Sequence, residues 1–279
     1  MQDVIGRWAA LEKVDASRWR GRIDPSWHQG KGAFGGLGAA LLLSTMQDTL
    51  ADAERIPRSL TVHFCAPCAG DFELTAEVVR RGGRVAHGAA RITNGEGAAR
   101  VVTTMATASF CKDRPDDVRH VAAEMPRVPP PSELHDVPEG VPGLPTFFHH
   151  TNVRFVTDVL PFTGASEARV AAWVRMREPE VVVDAPIAAM LLDTLPPALM
   201  STFRAPRAVA SVDFTVHFFE ALGAPERANA SKATREGDAY HLVAIRSRWA
   251  AGGYAEELRD LWSPEGVLLA QCRQLLALL

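Results

Sequence analysis

Two stretches of this chain are apolar on nearly every side, and most of the remainder alternates between apolar and polar positions. The first, Leu37 to Leu50, is built on Gly-Ala-Ala-Leu-Leu-Leu, and the second, Ala185 to Met200, keeps that character up to an interruption at Pro196-Pro197. A helix without a polar face has to be buried on most sides. Between Leu60 and Phe110 the period is two, in the runs Leu60–Cys65, Phe72–Arg81, Val85–Thr93 and Ala98–Phe110. Turn residues at Pro67–Asp71, Gly82-Gly83 and Asn94–Gly97 separate them and predict antiparallel neighbours. The second half runs the same way. Strands are expected near Asn152–Val156 and Arg169–Arg177, then at Val209–Phe219, His241–Trp249, Tyr254–Trp262 and Val267–Leu278, with turns at Gly252-Gly253 and Ser263–Gly266.

The two halves also share a literal repeat. Thr61-Val62-His63-Phe64 returns as Thr215-Val216-His217-Phe218, preceded each time by an apolar helix candidate and followed by strands around a glycine turn. That order points to an internal duplication, and a buried helix against an antiparallel sheet makes each copy an α+β unit. His63 and His217 hold matching places, which favours a shared structural role. Prolines crowd the stretch between Asp113 and Pro145, among them Pro126, Pro129, Pro130, Pro131, Pro138, Pro142 and Pro145. This stretch reads as a stiff linker, so the expected division is 1–112, a linker 113–146, and 147–279. The opening residues, with Val4, Trp8 and Leu11 at helical spacing, form an amphipathic lead. Glu220 to Asp238 is a polar connection without a counterpart in the first half.

Charge narrows the partners. Thirty basic residues against thirty-three acidic ones leave a net charge of −3, so no general attraction to nucleic acid is expected. The opening residues lack a leader pattern and no apolar run approaches a membrane span, and a cytoplasmic location without membrane attachment is the expectation. Cys65, Cys68, Cys111 and Cys272 include one Cys-x-x-Cys, but no second pair or His-x-x-x-His completes a metal site. Gly30, Gly32 and Gly35 satisfy G-x-G-x-x-G without the preceding apolar strand and βαβ unit of a dinucleotide fold. They read as glycines for close packing at a helix start, whose N-terminus could receive an anionic group. Neither a metal nor an organic cofactor is expected.

Three polar residues interrupt apolar surroundings. Asp193 lies in Ala-Ala-Met-Leu-Leu-Asp-Thr-Leu, where a carboxylate is costly unless paired; it is either a functional acid or the cap of a helical turn starting near Pro196-Pro197. Gln274 breaks the face formed by Leu268, Ala270, Cys272, Leu276 and Leu278, as a functional amide or one satisfied by backbone. Aligning the halves through Gly97 and Gly266 sets it against Met105. Ser211 shares its alternating face with Asp213, Thr215 and His217, which by default is a solvated polar face. His28, beside the glycine-rich loop, is a ligand-contact candidate. A serine-hydrolase elbow and a phosphate loop are both missing from the sequence.

The order of these features resembles the acyl-CoA thioesterase II family, double hotdog proteins with two hotdog units in one chain. The resemblance rests on Gly35-Gly36 before the first helix, Arg58 to Pro67, the Arg80–Arg84 turn, Leu192-Asp193, Ser211-Val212-Asp213 and Trp262 to Gln274. It implies two helix-and-sheet units joined into one continuous sheet, an acyl-CoA substrate, no cofactor, and assembly into a homo-oligomer. It also implies catalytic roles for Asp193, Ser211 and Gln274, with Ser211 replacing the usual threonine, and substrate contacts near His28, Gly35 and Gly36. Two other readings stay open: a non-catalytic acyl-CoA or lipid-binding protein, and an acyl-thioester hydratase or dehydratase.

Overall fold

A computed structural model describes residues 4–115, 118, 120–156, 159–178, 181–219, 222 and 240–279. Apart from Leu222, the Glu220–Asp238 connection lies outside them. The first half runs α1 (Val4–Trp8), β1 (Glu12–Lys13), β2 (Arg18–Ile23), a small hairpin of β3 (His28–Gln29) and β4 (Gly32–Ala33), helix α2 (Gly35–Leu50), β5 (Ile56–Phe64), β6 (Gly70–Arg81), β7 (Val85–Asn94) and β8 (Val101–Cys111). The second runs β9 (Thr151–Phe155), β10 (Arg169–Met176), α3 (Ala185–Leu192), β11 (Val209–Phe218), β12 (His241–Ala251), β13 (Tyr254–Trp262) and β14 (Leu268–Leu278).

Among the described residues, twelve strands form one sheet in the order β1-β2-β6-β7-β8-β5-β11-β14-β13-β12-β10-β9. Read outward from its middle, the order is the same on both sides. The repeated tetrapeptides are the junction: β5 and β11 run antiparallel with Thr61 opposite Thr215 and Val62 opposite Phe214, and the two threonine hydroxyls lie 3.3 Å apart. His63 and His217 are exposed beside this junction. The duplication read from the sequence is therefore also a structural pseudo-symmetry.

Both helices contribute to one core with the inward face of the sheet. Leu37, Leu41, Leu42 and Leu43 of α2 are fully buried with Leu60, Val62, Leu74 and Ile92, each such side chain contributing about 1.5–3 kcal/mol by leaving water. The second helix is shorter than expected. It stops at Leu192, and the chain resumes as a 3₁₀ turn over Ala198–Thr202, because Pro196 and Pro197 have no N–H to continue the helical ladder. Asp193 does not cap that turn, whose N-cap is Pro197 without a side-chain bond. It ends α3 instead, at φ −94° and ψ −1°.

Two register details correct the sequence reading. In β11 the pairing with β14 shifts between Ser211 and Asp213, and in β5 the pairing with β8 shifts in the same way between Pro57 and Ser59. Such a bulge inserts a residue and reverses the alternation. Ser211 thereby leaves the face of Asp213, Thr215 and His217 and joins that of Phe214 and Val216. The second detail concerns Met105, which lies opposite His63 as Gln271 lies opposite His217. The counterpart of Gln274 is therefore Ala108, which faces Leu60 as Gln274 faces Phe214. Aligning the turns misplaced it because the first-half hairpin takes three more residues between equivalent positions, Arg91 to Met105 against Asp260 to Gln271.

The proline-rich stretch crosses the outer face of the second half. Trp173 Nε1 donates to the Pro129 carbonyl at 2.9 Å, and Asp136 receives Tyr240 Oη at 2.7 Å and Arg154 Nε at 2.9 Å. Met125, Val128 and Leu134 pack there on Trp173, Tyr240, Leu242 and Trp262. Its end holds the start of α2: Phe147 stacks on Phe34 at 3.9 Å between ring centres, and His150 on Trp27 at 3.8 Å.

Candidate active site

The C-terminal end of α3 lies against the N-terminal end of α2, and glycine makes that approach possible. A Cβ on Gly36 would come within 2.4 Å of the Phe34 ring and 3.0 Å of the Met190 carbonyl, and one on Gly35 within 2.8 Å of Asp193 Oδ2. The Gly36 N–H, which has no partner within its own helix, donates to the Asp193 carboxylate. Asp193 is largely buried, its side chain 10% exposed. Burial pushes its carboxyl up to about 6, against the pull of the Arg259 guanidinium and the Gly36 N–H and with the aid of the Glu257 carboxylate. At pH 7 it is mostly ionised, but its conjugate acid is within reach.

Behind Asp193 stands a charged pair that the sequence reading missed. Arg259 and Glu257 on β13 are 1% and 0% exposed, and burying such a pair is costly unless its remaining hydrogen-bonding groups are used. They are. Arg259 Nη1 lies 3.6 Å from Asp193 Oδ1 and donates to the carbonyl of Leu192, left open at the end of α3, at 2.8 Å and to that of Leu195 in the turn beyond it at 3.1 Å. Its Nε and Nη2 each lie 2.8 Å from Glu257 Oε1. Glu257 Oε2 accepts the Ala198 N–H at 2.6 Å. Burial alone would lower the Arg259 pKa, yet Glu257 and Asp193 hold it above its ordinary value.

Glu257 connects the pair to the two remaining candidates. Gln274 Nε2 donates to Glu257 Oε1 at 2.8 Å, and the Ser211 hydroxyl lies 3.4 Å from Gln274 Oε1 as its donor. The amide is thus oriented with its NH₂ toward Glu257 and its oxygen toward Ser211. Asp193, Arg259, Glu257, Gln274 and Ser211 form one chain of polar contacts in an apolar core. A signal for the missing members was present in the sequence: Glu257 and Arg259 alternate with Ala255 and Leu261 on one face of their strand, as Gln274 does among apolar neighbours on the next.

A cavity of about 470 Å³ opens beside this chain. Asp193, Ser211, Arg259 and Gly35 line it, with Phe34, Phe64, Ile23 and Ile92 among its apolar walls and the β3–β4 hairpin, including Gln29 and Lys31, at its edge. Gln274 and Gly36 stand behind the wall. His28 does not line the cavity either; its Nε2 is buried and makes no hydrogen bond among the described residues. Cys65 and Cys68 also line it as free thiols, Cys68 beside the hairpin where its carbonyl accepts the Ala33 N–H at 2.7 Å, and burial raises the Cys68 pKa. Among the described residues no group of three or more His, Cys, Asp or Glu side chains could hold a metal ion, and no helix is long and apolar enough to cross a membrane.

Comparison with known proteins agrees with this architecture over its whole length. The acyl-CoA thioesterase N-terminal domain matches residues 23–111 and the acyl-CoA thioesterase C-terminal domain residues 122–278. No curated protein matches the sequence significantly. Among solved structures, a hot dog fold protein of unknown function from Alicyclobacillus acidocaldarius superposes with a TM-score of 0.82 at 26% identity, covering 100% of this chain and 99% of the other. The tesB protein of Mycobacterium avium subs paratuberculosis gives 0.74 at 17% identity, with 100% of both chains covered. Acyl-CoA thioesterase II TesB2 of Mycobacterium marinum gives 0.70 at 21%, covering 99% and 98%. With both domains matched in order on a sheet that is itself duplicated, the chain belongs to the acyl-CoA thioesterase family, thioester hydrolases here built as a double hotdog.

Proposed function

We propose that the chain hydrolyses acyl-CoA thioesters in the cavity beside Asp193, by attack of a water molecule that Asp193 deprotonates. The observation that carries this reading is the Asp193 carboxylate itself, raised to about 6 by burial and opening on a cavity with apolar walls beside it. A general base works best when its pKa lies near the operating pH. The Ser211 hydroxyl uses its proton toward Gln274, which leaves its lone pairs free to receive one O–H of the water while the other O–H faces Asp193. Gln274 acts through Ser211, held in orientation by Glu257.

The steps then balance without a covalent enzyme intermediate. The water oxygen bonds to the thioester carbonyl carbon as its proton passes to Asp193. The tetrahedral oxyanion is stabilised by the backbone N–H of Gly35 at the start of α2, which borders the cavity. The C–S bond then breaks, and the CoA thiolate leaves with the proton that Asp193 returns. Exposed Lys31 at the cavity edge suits the phosphate end of CoA, and His28 stands at the base of the same hairpin. A hydratase on this fold would need a histidine at the acyl carbons, and among the described residues none lines the cavity.

Thiol release from short, medium, long and aromatic acyl-CoAs, measured with wild type and a folded Asp193→Asn variant, tests the assignment. Turnover in the variant is expected to fall roughly 100- to 10,000-fold. Turnover untouched by the substitution would move the site elsewhere.

A further inference from the structure

We infer that the acyl chain of the substrate runs beneath the first turn of α2, from Gly35 past Gly38 toward Ile23, and that Gly38 sets the length of chain admitted. This rests on the reading of the Asp193 cavity as the hydrolytic site. Helix α2 is apolar nearly all round and buried among packed neighbours, and three of its first four residues are glycines. Two of those glycines are explained by close approach to Asp193 and Phe34. Gly38 is not: it is buried, yet a Cβ placed on it would meet only Thr104 Oγ1, at 4.0 Å. Glycine inside a helix destabilises it relative to alanine, and here alanine fits. What glycine provides at this position is empty space, and that space belongs to the cavity that Asp193 and Ser211 line.

The walls around Gly38 indicate what fills it. Phe64, Thr104 and Ile92 lie side by side on β5, β8 and β7, with Phe64 opposite Thr104 and Thr104 opposite Ile92. Ile23 on β2 lies beyond them. The charged residues of the cavity, Lys31, Asp193 and Arg259, belong to the hairpin edge and the polar chain. This part of the cavity therefore suits an uncharged aliphatic group, with the Thr104 hydroxyl as its one polar wall group. Gly38 lies one helical step beyond Gly35, about 4.5 Å along the axis at 1.5 Å per residue. An acetyl group reacting beside Asp193 ends short of it, whereas hexanoyl and octanoyl chains pass under it. Each methylene buried there raises affinity roughly fourfold.

The test compares wild type, Gly38→Ala and Gly38→Leu on acetyl-, butanoyl-, hexanoyl- and octanoyl-CoA. Calorimetric binding of the matching non-hydrolysable thioether analogues runs in parallel, and thermal unfolding confirms that each variant is folded. The octanoyl-to-acetyl ratio of kcat/KM is expected to fall, mainly through KM and by roughly tenfold or more in Gly38→Leu, since an overfilled site excludes the longer chain. Thioether affinities should fall in parallel, and succinyl-CoA should be a poorer substrate than butanoyl-CoA. Asp193→Asn, run alongside, should bind the thioethers with wild-type dependence on chain length while releasing thiol roughly 100- to 10,000-fold more slowly, so a failure of the chemistry and a failure of the acyl assignment show in different variants. An unchanged length preference in folded Gly38→Ala, or a preference for succinyl-CoA, would overturn the inference.

Discussion

Replacing Asp193 by asparagine should make the protein more stable while removing its activity, and the gain should depend on pH in a stated direction. Burial raises the carboxyl from 3.8 to about 6 in the folded chain. The unfolded chain ionises Asp193 freely near 4, whereas the folded chain holds on to the proton until about pH 6. Around pH 3, where both states are protonated, the carboxyl carries no pH-linked penalty. As the pH rises from 4 through 6 the folded state binds the extra proton, so wild type loses stability, by about 3 kcal/mol at pH 8 for a shift of this size. Asparagine has the shape of the neutral acid, can still accept the Gly36 N–H, and does not titrate. The asparagine variant should therefore gain on wild type by about 2.5 kcal/mol between pH 4 and pH 8, or several degrees at roughly 2–4 °C per kcal/mol. Urea unfolding of both proteins at pH 4, 6 and 8 measures the difference. A stability gap that is the same at all three values, or that narrows as the pH rises, would refute the account of Asp193 as a carboxylate raised by burial.

Other substitutions probe the neighbouring groups. The pH profile of wild-type kcat/KM should rise through an acid limb near 6, where Asp193 becomes ionised; a profile flat from pH 5 to 8 would remove Asp193 as the base. Glu257→Gln replaces a negative neighbour with a neutral one and leaves Arg259 facing Asp193 without its counter-charge, so the acid limb of the folded variant should move to lower pH. A shift to higher pH would contradict the geometry. Ser211→Ala should lower kcat by roughly 10- to 100-fold, the worth of a hydrogen bond in a buried site, while Ser211→Thr keeps the hydroxyl and should retain most of the rate. Gly35→Ala would place a methyl group 2.8 Å from Asp193 Oδ2, and thiol release should drop sharply even if circular dichroism shows an intact fold.

What could be read in the sequence was whatever a simple period carries. Alternation located the main strands, apolar runs located both helices, and Asp193 and Gln274 stood out as polar residues where the period demanded apolar ones. Ser211 could be singled out, but not its direction, because a one-residue bulge reverses a face and leaves no trace in residue type. The end of α3 was blurred since leucine and alanine continue the helical pattern through residues that the prolines take out of it. β2 was hidden in Arg-Trp-Arg-Gly-Arg-Ile, whose basic positions mask an alternation that buries Trp19 and Ile23. Glu257 and Arg259 were overlooked because in an isolated strand opposite charges two residues apart read as a solvated face. Their burial follows only from the helix end that covers them.

The bulge itself occurs in both halves, and the residue it turns inward differs. In the second half it is Ser211; in the first it is Pro57, which has no hydroxyl to offer. On the neighbouring strand the glutamine is matched by Ala108, and α2 has no acid before Asp48. Both copies share the irregularity, while on the proposed mechanism only the second carries the residues that hold the water molecule. On that reading the first copy takes no part in the chemistry, and its helix offers space in place of side chains. With one reacting centre and one receptacle the proposal predicts a stoichiometry of one acyl group per polypeptide, a number that a simple binding titration reads directly.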